Sequence, residues 1–293
     1  MLEPKHFAVH DGPGIRTTFF FKGCSLRCLW CHNPESISPG KEMGYFPHKC
    51  LACGECGSVC GNGGHTFEGM QHYFIRENCR FCGKCENECL GEALVTYGKE
   101  VSLEEAFAEA MKDLDFYRAG GGGVTLSGGE VLLQADFAAA FLRKLKEASI
   151  HTAVDSCGHV PREAFEKVLP FTDLFLIDFK HADTHEHKKL TGAGNERICR
   201  NLLFLAGKKA PVEIRIPFVP PFNSSRENLV KTGEFLAKTA PRKVVLLPYH
   251  DYAGGKYRAI GKEYGSSLCR VPSPEELEEA LAILQNYVPA GLE

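Results

Sequence analysis

The sequence predicts an α/β protein, an incomplete (β/α)6 TIM-type barrel, open along one side, with a cysteine-rich module inserted after its first strand. Three observations predict it. From Ser102 onward, short apolar strand-like runs alternate with helix-periodic ones, the signature of a parallel sheet. Six such strands are found, fewer than the eight that close a full barrel. Between residues 47 and 97 the alternation stops and eight cysteines take its place.

The strands are expected at 17–21, 123–127, 151–155, 174–179, 212–217 and 244–247. Residues 1–46 and 98–293 then form the barrel, and 47–97 the insert. Ser102 with Glu105 makes a capping box, and Leu103, Ala106, Phe107, Ala110, Leu114 and Tyr117 follow at helical spacing, so a helix is expected there. Further helices are expected at 136–147, 161–169 with proline in the first turn, 227–238, and 273–287 with Ser273 and Glu276 as a second capping box. The histidines of "KHADTHEHKKL" read as a polar, exposed helix.

Composition narrows the function. A formal charge of -3 and the absence of a basic stripe argue against nucleic acid. No 18-residue apolar run and no cleavage pattern at the start suggest a membrane or a secretory route, so a cytoplasmic protein is expected. Fourteen cysteines in tight runs point to metal ligation in a reducing compartment.

"CLACGECGSVC" and "CRFCGKCENEC" are the same pattern twice, C-x2-C-x2-C-x3-C, each cysteine of the second lying 29 residues after its counterpart. This is the bacterial ferredoxin spacing, in which the fourth cysteine serves the other cluster. It predicts a ferredoxin-like module with two [4Fe-4S] clusters, one on Cys50, Cys53, Cys56 and Cys89, the other on Cys79, Cys82, Cys85 and Cys60. Structural zinc is the alternative, although zinc sites usually take two C-x2-C pairs a dozen or more residues apart. The proline that usually follows the fourth cysteine is missing, Gly61 and Leu90 standing there. Cys157, Cys199 and Cys269 have no companions and read as small buried hydrophobes.

In barrels of this kind chemistry collects where strands end. After the first strand comes "CSLRCLWC" (24–31), after the second "SGGE" (127–130), and at the third Asp155 and Ser156. The fourth ends in "DFK" (178–180), Arg215 lies in the fifth, and the sixth runs to His250. Three thiolates hold three irons of a [4Fe-4S] cube and leave the fourth free for a substrate.

C-x3-C-x2-C with Trp30 before the third cysteine resembles the motif of the radical S-adenosylmethionine (SAM) superfamily. "DGPGIRTTFFFKGCSLRCLWCHNPES" (11–36) is similar to the amino-terminal signature of glycyl-radical-enzyme activating enzymes, the family of the pyruvate formate-lyase activating enzyme, and "GGGVTLSGGE", "DSCG", "LFLIDFK", "EIRIPFVP" and "LLPYHDYAGGKY" continue the likeness. The insert resembles the two-cluster insertion of a subgroup of that family.

The resemblance implies that Cys24, Cys28 and Cys31 hold the catalytic cluster, whose open iron chelates the methionine amino and carboxylate groups of SAM. Trp30, Cys31 and His32 would border the adenine. Gly128, Gly129 and Glu130 would receive the amino group, and Lys180, in a stretch with Asp178 and Phe179, would lie near the methionine carboxylate. Arg215 and His250 match residues on the ribose and carboxylate side; Asp155, Ser156 and Asp178 would hold a monovalent cation. Asp11, Gly12, Gly14 and Arg16 match the stretch that meets the partner's glycine loop. The implied reaction is reductive cleavage of SAM followed by hydrogen abstraction from a backbone glycine of a large glycyl radical enzyme. A ferredoxin or flavodoxin is the expected electron donor and a monomer the expected state. Another radical SAM enzyme acting on a small molecule or peptide, a ferredoxin-type electron carrier and a zinc module remain alternatives.

Overall fold

The computed structural model describes residues 1–265 and 268–292. Strands β1 (Lys5–Ala8) and β2 (Arg16–Phe21) precede four short strands, β3 (Glu42–Tyr45), β4 (His65–Glu68), β5 (Gln71–Phe74) and β6 (Leu94–Tyr97). Then come β7 (Gly123–Gly128), β8 (His151–Ser156), β9 (Leu174–Asp178), β10 (Val212–Phe218), β11 (Lys243–Pro248) and β12 (Ala290–Leu292). One sheet has the order β1-β2-β7-β8-β9-β10-β11-β12, parallel throughout except for β1, which runs antiparallel on β2. All six expected strands are present, and the sheet gains one strand at each edge. It curls so far that Asp11 and Phe20 from one end share a cavity with Pro248 and His250 from the other. The two edges do not pair: a cavity of about 240 Å³ separates Val9 and Pro13 from Val244 and Leu292.

Helices α1 (Glu55–Val59) and α2 (Lys84–Asn87) lie among the cysteines. Outside them are α3 (Leu103–Met111), α4 (Leu114–Gly120), α5 (Ala135–Glu147), α6 (Arg162–Val168), α7 (Thr184–Thr191), α8 (Glu196–Gly207), α9 (Arg226–Leu236), α10 (Gly254–Ala259) and α11 (Pro274–Gln285). Both predicted capping boxes form. The helical pattern after Ser102 divides into α3 and α4 because Asp113 turns its carboxylate to His6 and to the hydroxyl of Thr17, ending the first helix. The core lies between sheet and helices. Phe141 of α5, fully buried, meets Phe19 of β2 edge-on at 5.0 Å, and truncating such a ring to Ala costs about 3–5 kcal/mol.

The insert folds as two copies of one unit. β3 and β6 pair antiparallel, β4 and β5 likewise, and the 29-residue offset carries β3 onto β5, α1 onto α2 and β4 onto β6. The backbone repeats in detail: Ala52 and Phe81 have φ of 52° and 53°, Gly54 and Gly83 of 84° and 75°. Pairing of β3 with β6 draws residues 42–46 into this unit, ahead of the expected start at 47. Lys22 of the barrel, buried, reaches Glu42 at 3.0 Å, and Arg76 of the insert donates to the carbonyls of Met43 and of Ala259 in α10, so the unit is pinned to the barrel at both of its halves. No helix among the described residues is long and apolar enough to cross a membrane.

Candidate active site and cysteine centres

The carboxyl ends of the parallel strands enclose a cavity of about 430 Å³. Cys24, Cys28 and Cys31 all line it, on a loop held against the end of α7 by Arg27 N–H to Thr191 O and Leu29 N–H to Leu190 O. Each thiol is half-buried by residue. Burial pushes the Cys28 thiol up to about 12 and that of Cys31 to about 11; Cys31 adds to the rise at Cys28, and Cys24 to both. The Cys24 thiol is lowered to about 7, first through its hydrogen bond with Cys157. Cys157 therefore lies in the cavity wall beside a predicted ligand, a placement its isolated position in the sequence does not signal.

Asp155, Asp178, Lys180 and Arg215 face the same space. Lys180, 6% exposed, donates to Asp178 at 2.5 Å. Burial alone would lower its pKa; Asp178 and the Cys28 thiol outweigh that and raise it. Asp155 accepts from Ser127 Oγ at 2.7 Å and meets Arg215 at 3.5 Å; burial, the larger effect, raises its pKa to about 6. Both carboxylates thus already have a cationic partner, and Ser156 turns its hydroxyl away to Glu130 at 2.9 Å. Of the expected cation trio, Asp155 and Asp178 share the cavity, while the Ser156 hydroxyl is directed to Glu130 behind it.

Gly128 and Gly129 line the cavity with backbone. At Gly128, φ is +120° and a Cβ would sit 2.3 Å from Phe21 N and O, so only glycine fits. Glu130 differs from expectation. It is fully buried behind the wall, its carboxylate accepting from Ser156 Oγ and the N–H groups of Cys157 and Leu132, which leaves it bracing the loops. Phe179 likewise points into the core, stacked on Phe235 at 5.4 Å, because alternate residues of a strand face opposite sides. Trp30, 5% exposed, stacks on Phe222, and His32 stacks on His250 at 4.1 Å, giving the cavity an aromatic flank.

Of the amino-terminal stretch, Asp11 lines the cavity, Gly12 is half-buried and Gly14 exposed. Arg16 does not reach the surface at all. Its guanidinium is buried, with Nε donating to Thr125 Oγ1 at 2.6 Å and a second nitrogen to Val124 O at 2.7 Å, so it holds the turn onto β7 from inside. His181 and His187 are buried too, against the expectation of a solvated helix; His187 Nδ1 is 2.6 Å from Ala193 O.

In the insert, a small cavity gathers Cys50, Cys53, Cys56 and Cys89. Burial first, then Cys50, Cys89 and Cys53, raises the Cys56 thiol; burial, then Cys79 and Cys60, with Cys82 further down, raises Cys85. Cys50, Cys53 and Cys56 thus face one space with Cys89 of the second run, while Cys85 has Cys79, Cys60, Cys56 and Cys82 about it. A single zinc ion would draw its sulfurs to within roughly 4 Å of one another at Zn–S of about 2.3 Å. Among the described residues only Cys56, His65 and His72 bring three possible ligand atoms within 4.8 Å, and the trio Cys24, Cys28 and Cys31 does not.

A parallel sheet with three thiols at its carboxyl rim, beside a glycine wall and a buried lysine, has the make-up of an enzyme site able to hold a metal cluster. Comparisons agree. Residues 74–233 match the Radical SAM superfamily. The trans-4-hydroxy-L-proline dehydratase activating enzyme of Clostridioides difficile is 41% identical over 93% of this chain and 91% of its own. The choline trimethylamine-lyase activating enzyme of Oleidesulfovibrio alaskensis is 38% identical over 96% and 93%. A solved domain of a pyruvate-formate lyase-activating enzyme from Bacteroides vulgatus superposes with a TM-score of 0.51 at 31% identity, covering 59% of this chain and 99% of that one. The chain belongs to the radical SAM superfamily and, within it, to the activating enzymes of glycyl radical enzymes.

Proposed function

We propose that Cys24, Cys28 and Cys31 hold the catalytic cluster and that the 430 Å³ cavity seats SAM against it. Activation of a partner glycyl radical enzyme by reductive SAM cleavage is the activity of the family. Bound there, cluster and SAM supply the one-electron chemistry that takes a hydrogen atom from a glycine Cα of the partner. The residues have separate tasks. Carbonyls of Gly128 and Gly129 accept from the methionine ammonium, while Glu130, buried behind them, fixes their loop. Lys180 offers its ammonium to the methionine carboxylate and Arg215, facing the same cavity, binds on the ribose side. Trp30, His32 and His250 supply the flat flank for adenine. Asp11 and Gly12, with Gly14, form the lip over which a peptide enters: Asp11 lines both this cavity and an adjoining one of about 530 Å³ between barrel and insert.

The insert, taken as 42–97 on its strand pairing, is read as a ferredoxin-like unit with two further [4Fe-4S] clusters, three in all. Grouping of the thiols by exchanged fourth cysteines supports this. Exposed Cys53 and Cys82 mark where a ferredoxin or flavodoxin would deliver electrons, and the protein is read as acting as a monomer.

The observation that carries the catalytic reading is the meeting of three thiols, the glycine wall and the Lys180–Asp178 pair around one cavity. Incubated anaerobically with SAM, reductant and its cognate enzyme, the protein should generate an organic radical whose electron paramagnetic resonance (EPR) doublet comes from the remaining Cα hydrogen. Changing the partner's glycine to alanine should abolish it, because a side chain opposes planarity and close approach. Turnover of a small molecule without any such radical would overturn the reading.

A further inference from the structure

The two halves of the insert repeat in backbone but differ in the polar groups beside their thiols. His72 Nδ1 lies 3.5 Å from Cys50 Sγ, and His72 Nε2 lies 2.9 Å from His65 Nδ1 and 3.7 Å from Cys56 Sγ. The Tyr45 hydroxyl donates to the His72 carbonyl at 3.2 Å and so braces that histidine. The 29-residue offset puts Met43 where His72 stands, Phe74 where Tyr45 stands and Leu94 where His65 stands. One set of thiols therefore has an imidazole beside it, braced by a phenol and a second imidazole; its counterpart has a thioether, a phenyl ring and an isobutyl group there, with the Arg76 guanidinium near Cys79.

Donor and acceptor roles follow from inventory. A thiolate on iron only accepts, so His72 Nδ1 must donate to Cys50. Its Nε2 faces both the Cys56 sulfur and His65 Nδ1, so His65 closes the outer side of the ring and holds it against the two thiols. Both rings are buried, His72 with Phe67 stacked on it at 4.6 Å, so the arrangement is held in place. Hydrogen bonds to cluster sulfur stabilise the more negative, reduced state and raise the reduction potential.

We propose that His72, oriented by His65 and joined by Tyr45, makes the cluster on Cys50, Cys53, Cys56 and Cys89 easier to reduce than its pseudo-symmetric twin on Cys79, Cys82, Cys85 and Cys60. These are positioning residues, acting through Cys50. The inference rests on the two-cluster reading of the insert. Its consequence is an ordered pair: the first electron settles on the histidine-flanked cluster, while the twin fills second, because Arg76, the cation near Cys79, turns its donors to the carbonyls of Met43 and Ala259.

A redox titration of iron-loaded protein, followed by EPR, should resolve two separate midpoints for the insert. His72→Met, which copies the other half, should move the higher midpoint down toward the lower one, and Tyr45→Phe should give a smaller shift in the same direction; Met43→His should move the lower one up. An unchanged higher midpoint in His72→Met at full iron content overturns the proposal. Should His72→Met fail to hold its iron, unmodified protein labelled with 15N-histidine decides: hyperfine coupling of a histidine nitrogen to the first-reduced cluster supports the proposal, and its absence overturns it. Iron analysis separates this from the reading beneath it, since about four irons per chain in place of about twelve removes the insert clusters themselves.

Discussion

The rim loop and the insert start alike and finish differently. In all three cysteine runs the first sulfur accepts from the N–H two residues on: Leu26 to Cys24, Ala52 to Cys50 and Phe81 to Cys79, each at 3.4 Å. The insert then completes each set. Cys60 and Cys89, the exchanged fourth cysteines, accept from Gly64 N–H at 3.3 Å and Ala93 N–H at 3.2 Å. The rim run itself stops at three: the further thiol in the cavity wall, Cys157, comes from the end of β8 and is hydrogen-bonded to Cys24, and Gly128, Gly129 and Lys180 line the same space. Saturated ligation suits a centre that only exchanges electrons, whereas an open position suits one that binds and breaks a substrate. The same local loop thus serves two purposes according to what faces it.

The largest test of this contrast removes one thiol at a time. Cys28→Ala should abolish SAM cleavage even with a strong chemical reductant. Cys53→Ala and Cys82→Ala, where they remain folded, should keep part of that cleavage and lose far more with a protein donor. Equal and total loss in all three soluble variants would break the distinction. A lesser effect is expected at Lys180, which the insert lacks. Lys180→Met deprives Asp178 of its partner and the methionine carboxylate of its cation; loss of a charge-assisted hydrogen bond of roughly 1.5–3 kcal/mol weakens SAM binding about tenfold to a hundredfold. Equilibrium binding measures it, with iron content unchanged.

Much of this contrast was legible in the residues alone. The cysteine runs repeat at 29 residues, and that repeat reappears in the backbone of the insert; the six inner strands announce themselves because a strand covered on both faces must be apolar. The edge strands β1 and β12 and the four-residue strands of the insert were not legible, being too short for alternation to stand out from turns. Side-chain direction was the other gap. Arg16 looks like a surface charge in a turn-rich stretch, yet Thr125 and Val124, more than a hundred residues away, satisfy it inside. Glu130 in "SGGE" invites a ligand role until Ser156 and Cys157 are seen to occupy it. Partners that arrive from distant strands leave no trace in local pattern.

Separating the two regions mechanically is a smaller perturbation. Arg76→Ala removes the donor that ties the insert to Ala259. It should leave cleavage with chemical reductant near its starting level, lower it with a protein donor, and speed amide exchange across 254–261. Undiminished donor-driven activity would show that the clasp plays no part in electron delivery.

The smallest effect probes the equivalence of the two halves of the insert. Gly54 and Gly83 enter α1 and α2 at φ of 84° and 75°, and a Cβ on either would meet no atom within 4 Å. With space available on both sides, the cost of alanine is conformational alone, about 1–2 kcal/mol for placing an L-residue in the left-handed region. Because the cost is local, it should be the same in Gly54→Ala and Gly83→Ala, whichever polar groups flank the sulfurs. Denaturant-induced loss of the iron-sulfur absorbance should therefore shift by equal amounts in the two variants. Unequal shifts would mean that the halves differ in backbone mechanics as well as in His72 and Met43, and the pseudo-symmetry would hold for the ligands only.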